Sequence, residues 1–428
     1  MIIRHRATTG TRTLLLFAIG ILLITARVEA GSGGSVYSRF GIGDLSRTTS
    51  PELYGLGGTG LAVSPIGSVN DMNPAAWAGI GKVRFSAGAV YEGFSTTDGS
   101  SSVYLAATRF DGLTFAIPIS PDNGITFASG LIPYSRVNYN IVVPETRSGL
   151  DYTMTYRGNG GISRAFAGFS ATITTGFHAA ARFEYLFGTL SYSMTQAFGT
   201  SSYSGASLVR SENVSGFGST VGVLLDGLGA VLGMAEDRSL ALGLTFSPAT
   251  YPTSETERVY RYGATPSPSP PDSISEGERS FRLPFSFGSG LSYNSPNLLL
   301  ALDARYQEWG RTGFETPAGV RLRNSVRLSA GARISRSADP NLSSSRRVTY
   351  AFGLFHESGC LEVNNTPIRE NGITAGISFP ILNETRLSFA ASFSLRGSTD
   401  NLLQEDKIFR ISASMDIAEL WFQRPVEE

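Results

Sequence analysis

The side chains that most often do chemistry are scarce in this chain. Its 428 residues hold one cysteine, Cys360, and three histidines, His5, His178 and His356. A single cysteine permits no intrachain disulfide. Histidines so few and so scattered offer no ligand set for zinc, so no metal site is expected. No residue set stands beside His178 or His356 that would activate a serine, and neither catalytic residues nor an enzyme are expected. Gly55-Leu56-Gly57-Gly58-Thr59-Gly60 matches G-x-G-x-x-G. As a dinucleotide fingerprint it needs a strand before it, a helix after it and a later acidic residue, and no βαβ pattern surrounds it. No cofactor is therefore expected. Asn73-Pro74-Ala75 has the makings of a rigid corner. Pro74 fixes its own φ and pushes Asn73 out of the helical region, while the Asn73 side chain can bond nearby backbone. Pro133 stands inside a strand-like run, Ser129-Gly130-Leu131-Ile132-Pro133-Tyr134-Ser135, where it cannot donate to a ladder; a bulge or a local opening is expected there.

The elements that must hold these residues are unusual. Charged residues make up 16% of the chain, against roughly 25% in ordinary globular proteins. Basic and acidic residues balance at 35 each. That balance gives no basic footprint for nucleic acid, and no nucleic-acid partner is expected. At the N-terminus Arg4, Arg6 and Arg12 precede an apolar run from Leu14 to Ile24, and Val28-Glu29-Ala30 precedes Gly31. This is the pattern of a cleaved signal peptide over residues 1–30. The run is short for a spanning helix, and no later stretch reaches the length one needs. Residues 31–82 are rich in Gly, Ser, Pro and Asn and show little alternation.

From Val83 the texture changes to alternating segments separated by turn residues. Phe177, Ala179, Ala181, Phe183, Tyr185 and Phe187, for example, interleave with His178, Arg182 and Glu184; Val83 to Tyr91, Val137 to Val143 and Leu387 to Phe393 behave alike. Such period-2 runs, one face for lipid and one for a polar interior, must close into a barrel so that every backbone group is satisfied. Fourteen segments are expected: 83–94, 101–119, 124–143, 150–171, 174–196, 203–226, 238–263, 277–293, 296–309, 319–336, 346–363, 368–381, 384–397 and 403–418. Pro121 to Gly124 and Asn294 to Pro296 are expected as tight turns, and 263–278 as a mobile polar loop. Tyr134, Tyr139, Trp309, Trp421 and Phe422 fall near strand ends and suit interfacial girdles. Asn-x-Ser/Thr matches at Asn213, Asn341 and Asn383 carry no weight in a bacterial barrel. The competing architecture, a soluble β-sandwich or propeller, fits poorly with segments well over the ~5–6 residues of ordinary strands.

Taken in order, several runs resemble the FadL-type (FadL/TodX) outer-membrane transport family, in a branch common in Bacteroidetes. They are Tyr37 to Leu45 (YSRFGIGDL), Gly55 to Gly60, Asn73-Pro74-Ala75, Leu131 to Ser135, Tyr156 to Gly161, Tyr185 to Gly188, Arg305 to Trp309 and Leu420-Trp421-Phe422. The resemblance implies an all-β, transmembrane antiparallel barrel of about 14 strands in the bacterial outer membrane. A hatch over residues 31–82 would plug its lumen, residues 83–422 would form the barrel, and 423–428 a periplasmic tail. It maps the hatch corner to Asn73, Pro74 and Ala75, a lateral-gate kink to Gly130, Leu131, Pro133 and Tyr134, and a mobile N-terminal segment to Gly31 through Arg39, including Tyr37. The hatch glycines Gly55, Gly57, Gly58 and Gly60 are expected to let backbone pack closely inside the lumen. The implied partners are outer-membrane lipids, a small hydrophobic ligand such as a long-chain fatty acid or an aromatic compound, and the barrel-assembly machinery. The implied function is passage of that ligand through the barrel wall at the kinked third strand. The alternative is a barrel adaptor for protein secretion to the cell surface, type IX-like, which would add a protein partner. A diffusion porin fits less well, because a hatch fills the lumen.

Overall fold

A computed structural model of the chain describes residues 31–199, 203–263, 272–314, 316–335, 347–382 and 385–419. The expected signal peptide, the closing Leu420-Trp421-Phe422, the tail 423–428, and Asn341 and Asn383 lie outside the described residues.

Fourteen antiparallel strands close into one barrel. They are β1 (Val83–Thr97), β2 (Ser102–Ser120), β3 (Ile125–Arg136, continued by Tyr139–Arg147), β4 (Leu150–Thr174), β5 (Phe177–Phe198) and β6 (Ala206–Leu225). Next come β7 (Ser239–Ser247 and Thr253–Tyr262), β8 (Asp272–Ser280 and Ser286–Asn294), β9 (Leu298–Gln307) and β10 (Ser325–Ser335). The last four are β11 (Thr349–Glu357), β12 (Glu370–Leu382), β13 (Thr385–Gly397) and β14 (Glu405–Glu419). Closure is made by β14 on β1, in register from Glu405 opposite Thr97 to Glu419 opposite Val83. The β14–β1 ladder thus leaves no polar backbone edge open to lipid where the barrel closes.

Alternation decides which side chains meet lipid. On β5, Phe183, Tyr185 and Phe187 point outward while Arg182, Glu184 and Leu186 are buried inside. Phe217, Leu302, Leu354, Ile373 and Phe393 continue the outer apolar belt on other strands. A closed barrel wearing such a belt is an outer-membrane protein. No helix of the described residues is long and apolar enough to cross a membrane.

Strands β3 to β8 run on beyond the belt. Prolines divide two of them: Pro248 and Pro252 break β7, and Pro284 breaks β8. Below the breaks β7 pairs β6 and β8 to close the barrel. Above them the sheet continues through β6, upper β7 and upper β8. Among the described residues, upper β3 pairs only β4 and upper β8 pairs only upper β7. The expected loop 263–278 is therefore shorter than its composition suggested, because Asp272–Ser280 is strand. At the same end a three-stranded sheet (Val320–Leu322, Leu361–Val363, Thr366–Pro367) forms a lid from the β9–β10 and β11–β12 connections.

Two sequence expectations are corrected here. Val137 and Tyr139 face inward, and so does Trp309, only 2% exposed. With Ile42, Ile162, Leu186, Leu190, Val214 and Leu283 they form an apolar cluster inside the barrel, and Tyr134 packs against it. These aromatics are therefore not an interfacial girdle. Their positions near strand ends are compatible with either face; the register of β3 selects the inner one for Tyr134 and Tyr139, and the 3-10 turn Trp309–Arg311 that follows β9 carries Trp309.

Candidate functional site

Residues 31–82 thread the lumen, held by a network centred on two asparagines. The Asn70 amide donates to the carbonyls of Gly60 and Val63 (both 2.8 Å), and its oxygen accepts from the N–H groups of Met72 and Asn73. Asn73 caps a 3-10 turn, Pro74–Gly79, by accepting from Ala75 N–H. Its amide donates to Leu61 O (2.7 Å) and to Val223 O on the β6 wall (3.0 Å). The Trp77 indole closes the corner by donating to Asn70 O at 2.7 Å. One asparagine pair thus satisfies backbone groups that have no ladder to join.

The glycine run lies flat against the opposite wall. A Cβ on Gly55 would stand 3.0 Å from the Gly376 Cα, and one on Gly57 2.7 Å from Leu354 O. Gly57 also has φ +80°, a region most side chains avoid. Gly58 has φ +75°, and a Cβ on Gly60 would meet the Met72 sulfur at 2.7 Å. The wall answers with glycines of its own. A Cβ at Gly243 would overlap Leu61 O, and one at Gly353 would overlap Gly57 N. Sequence reasoning missed these wall glycines. Gly331 of β10 stands opposite Gly353 of β11, and Gly376 of β12 stands opposite Ala351, two residues away, a grouping that only the register reveals.

Charge ties the segment down as well. Glu52 accepts from Ile66 N–H (2.9 Å) and Gly67 N–H (3.3 Å) and pairs with Arg333 of β10 at 3.1 Å. Asp303 of β9 accepts from the N–H groups of Gly60 (2.7 Å) and Leu61 (2.9 Å). Asp44 pairs with Arg396 of β13 at 2.8 Å, and Arg47 pairs with Glu357 of β11.

Between β2 and β3 the wall changes character. Their pairing runs from Ser120 opposite Ile125 to Leu113 opposite Leu131 and stops. Gly130 and Leu131 are the last β3 residues joined to β2. Pro133 follows, with no N–H to offer, and the register on β4 shifts between Pro133 and Ser135, leaving Tyr134 as the extra residue. The N-terminal segment spans the gap. Gly31–Ser32 runs parallel to Leu105–Ala106 of β2. Asp44–Leu45 runs antiparallel to Ser135–Arg136 of β3, and Ser46 N–H donates to Tyr134 O at 2.9 Å. Ser38 accepts from Asn138 N–H and donates back to Asn138 O.

A cavity of about 360 Å³ lies behind this seam, bordered by Tyr37, Leu45, Pro133, Ile162, Phe355 and Cys360. Charged groups share its wall in closed sets. Glu92 accepts from Arg410 (2.8 Å) and Arg109 (3.3 Å), and Glu370 takes the other arm of Arg410 at 3.0 Å. Tyr37 joins the cavity to the lid. Its hydroxyl donates to Gln404 O (2.5 Å) and accepts from Gln404 N–H, and its ring packs with Leu361, Val363 and Ile368. Arg39 is exposed, its guanidinium 4.5 Å over the Phe40 ring. Burial pushes the Cys360 thiol up from its ordinary value, against the opposing pull of Arg47. The predicted residues thus fall into two groups. Gly31, Tyr37, Pro133 and Tyr134 gather at the seam and cavity, whereas the Asn73 corner sits on the far, turn-side end of the lumen beside β6.

A family model described as BamG matches residues 12–425. No curated protein matches the sequence. Among solved structures, the toluene transporter TbuX of Ralstonia pickettii is similar at 13% identity and TM-score 0.58, over 86% of this chain and 98% of that one. A FadL homologue of Pseudomonas aeruginosa is similar at 14% identity and TM-score 0.56, over 87% and 99%. The toluene transporter TodX of Pseudomonas putida is similar at 15% identity and TM-score 0.57, over 88% and 99%. At these identities the likeness is one of fold, and it is the fold that the motif resemblance implied.

Proposed function

Starting from a chain that belongs to the BamG family, we propose that this barrel passes small hydrophobic compounds from the cell surface into the outer membrane through the seam between β2 and β3. The carrying observation is the end of direct pairing at Leu113 and Leu131, with a cavity of about 360 Å³ directly behind it. On this reading the ligand enters beneath the lid and rests against the apolar cluster around Ile162 and Trp309. It leaves sideways once residues 31–46 withdraw from the gap. Two-residue main-chain pairings join that segment to β2 and β3, with Ser38–Asn138, Tyr37–Gln404 and Asp44–Arg396 as further ties, so its displacement breaks fewer main-chain bonds than opening a barrel ladder. Residues 31–82 act as the hatch, the Asn73-Pro74-Ala75 corner as its fixed end, and Gly31 to Arg39 as its moving end. The similar TbuX and TodX are toluene transporters by name, which supports an apolar ligand class. The partners are then outer-membrane lipid, the ligand and the machinery that inserts the barrel.

The test is saturable binding of a long-chain fatty acid and of toluene to purified, delipidated protein. Binding that saturates and weakens when residues 31–39 are removed is expected. Folded protein that binds neither compound overturns the proposal. One observation favours a second reading, a surface adaptor with a protein partner. Among the described residues, upper β3 pairs only with β4 and upper β8 only with upper β7, and sheet edges of that kind accept added strands. Failure of ligand binding together with capture of a defined surface protein at those edges would favour it.

A further inference from the structure

A second, smaller cavity of about 100 Å³ lies deeper in the lumen, on the other side of Leu45, Ser46 and Arg47 from the first. Four guanidinium groups border it, those of Arg47, Arg164, Arg182 and Arg305, against two carboxylates, Asp71 and Glu184. The carboxylates are already committed. Glu184 serves both Arg182 (2.7 Å) and Arg164 (3.4 Å) and also accepts from the Thr220 hydroxyl at 2.9 Å. Asp71 accepts from the Thr48 hydroxyl (2.7 Å) and Thr49 N–H (2.8 Å). Arg47 turns to Glu357, which lies outside this cavity. Arg305 is left over. Its neighbour Asp303 is bound to the backbone at Gly60 and Leu61, and among the described residues the Arg305 guanidinium makes no hydrogen bond or ion pair, its main chain alone being paired in the sheet. Hydroxyls of Ser219, Thr245, Ser247 and Ser286 complete the wall.

A guanidinium inside a protein without an acceptor is costly, and its planar fork matches a carboxylate or phosphate. The cavity can hold a few water-sized groups, at about 30 Å³ of liquid volume each. We propose that this cavity is an oxyanion site, with Arg305 as its primary donor, and that it takes a phosphate, either free or as the head of an amphiphile. The two cavities share Leu45, Ser46 and Arg47 as common wall, so a head in the smaller could carry a tail into the larger. This goes beyond the passage of apolar compounds and does not require it.

The experiment is titration calorimetry on the full-length mature protein in an uncharged detergent, with inorganic phosphate and with hexyl phosphate. Barrel folding of each variant is verified by heat-modifiable gel mobility. Saturable phosphate binding is expected, at least tenfold weaker in Arg305→Gln and within a few-fold of wild type in Arg305→Lys. Hexyl phosphate that displaces phosphate and binds more than tenfold tighter assigns the site to an amphiphile's head; equal affinities assign it to the free anion. Folded wild type that binds neither probe, or Arg305→Gln that binds as tightly as wild type, overturns the proposal. Because binding of inorganic phosphate and its loss in Arg305→Gln involve neither an apolar compound nor the seam, this failure is separable from failure of the passage reading.

Discussion

The contact between Glu52 and Arg333 offers the sharpest test of how residues 31–82 are held inside the barrel. Both side chains are nearly sequestered, at 2% and 9% exposure, and they meet at 3.1 Å. The Glu52 carboxylate also holds the N–H groups of Ile66 and Gly67. Truncation to Ala would leave a guanidinium without its partner and two backbone donors without an acceptor. Removing one member of a buried pair costs about 3–5 kcal/mol. Every 1.4 kcal/mol is about a factor of ten, so amides near residues 52–67 in Glu52→Ala should exchange with deuterium about 10²–10³-fold faster. Barrel amides, held by ladders that do not include Glu52, should keep their rates. Replacing both members, as in Glu52→Gln with Arg333→Met, should restore much of the protection, since an apolar substitute leaves no orphaned charge. The measurement is hydrogen–deuterium exchange by mass spectrometry in detergent. Unchanged exchange at residues 52–67 in Glu52→Ala would refute the reasoning, because the segment would then be held by its other contacts and not by this pair.

Four other outcomes are expected. Pro133→Val supplies an N–H and a residue suited to a strand, so uptake of a hydrophobic ligand should slow while the barrel stays folded; uptake measured in cells at the wild-type rate would remove Pro133 from the mechanism. Deleting residues 31–80 should raise ion conductance across a planar bilayer, and a conductance equal to that of the intact protein would mean that the segment does not obstruct the lumen. The Cys360 thiol, half-buried below the lid and shifted upward by desolvation there, should react with a maleimide at pH 7 at least tenfold more slowly than free cysteine, by the thiolate requirement. Tyr37→Ala, which removes both Tyr37–Gln404 bonds, should accelerate that labelling; equal rates would separate Tyr37 from the lid.

The strand count, the order of the turns and the outward faces of β1, β5 and β13 were legible because each rests on a local rule. Alternation has a period of two, and a tight turn such as Pro121 to Gly124 carries its own chemistry, with Gly124 at φ +60°. That Pro133 brings no donor to the ladder was legible for the same reason, since proline lacks the N–H wherever it stands. What fills the gap was not. That Asp44 and Leu45 lie against Ser135 and Arg136, some ninety residues away in sequence, follows from where the plug is anchored. The inward turn of Val137, Tyr139 and Trp309 was equally hidden, because an alternating apolar run does not say which of its faces meets lipid. Charge partners belong to the same class. Glu52 with Arg333, Asp44 with Arg396 and the unmatched Arg305 are relations among residues brought together by closure of the barrel around its own N-terminal segment. Sequence by itself determined that the chain must close on itself in a membrane, because its backbone groups would otherwise face lipid unpaired. Only the tertiary structure decided what the interior holds, because the register of each strand and the path of the plug are set by contacts between distant residues.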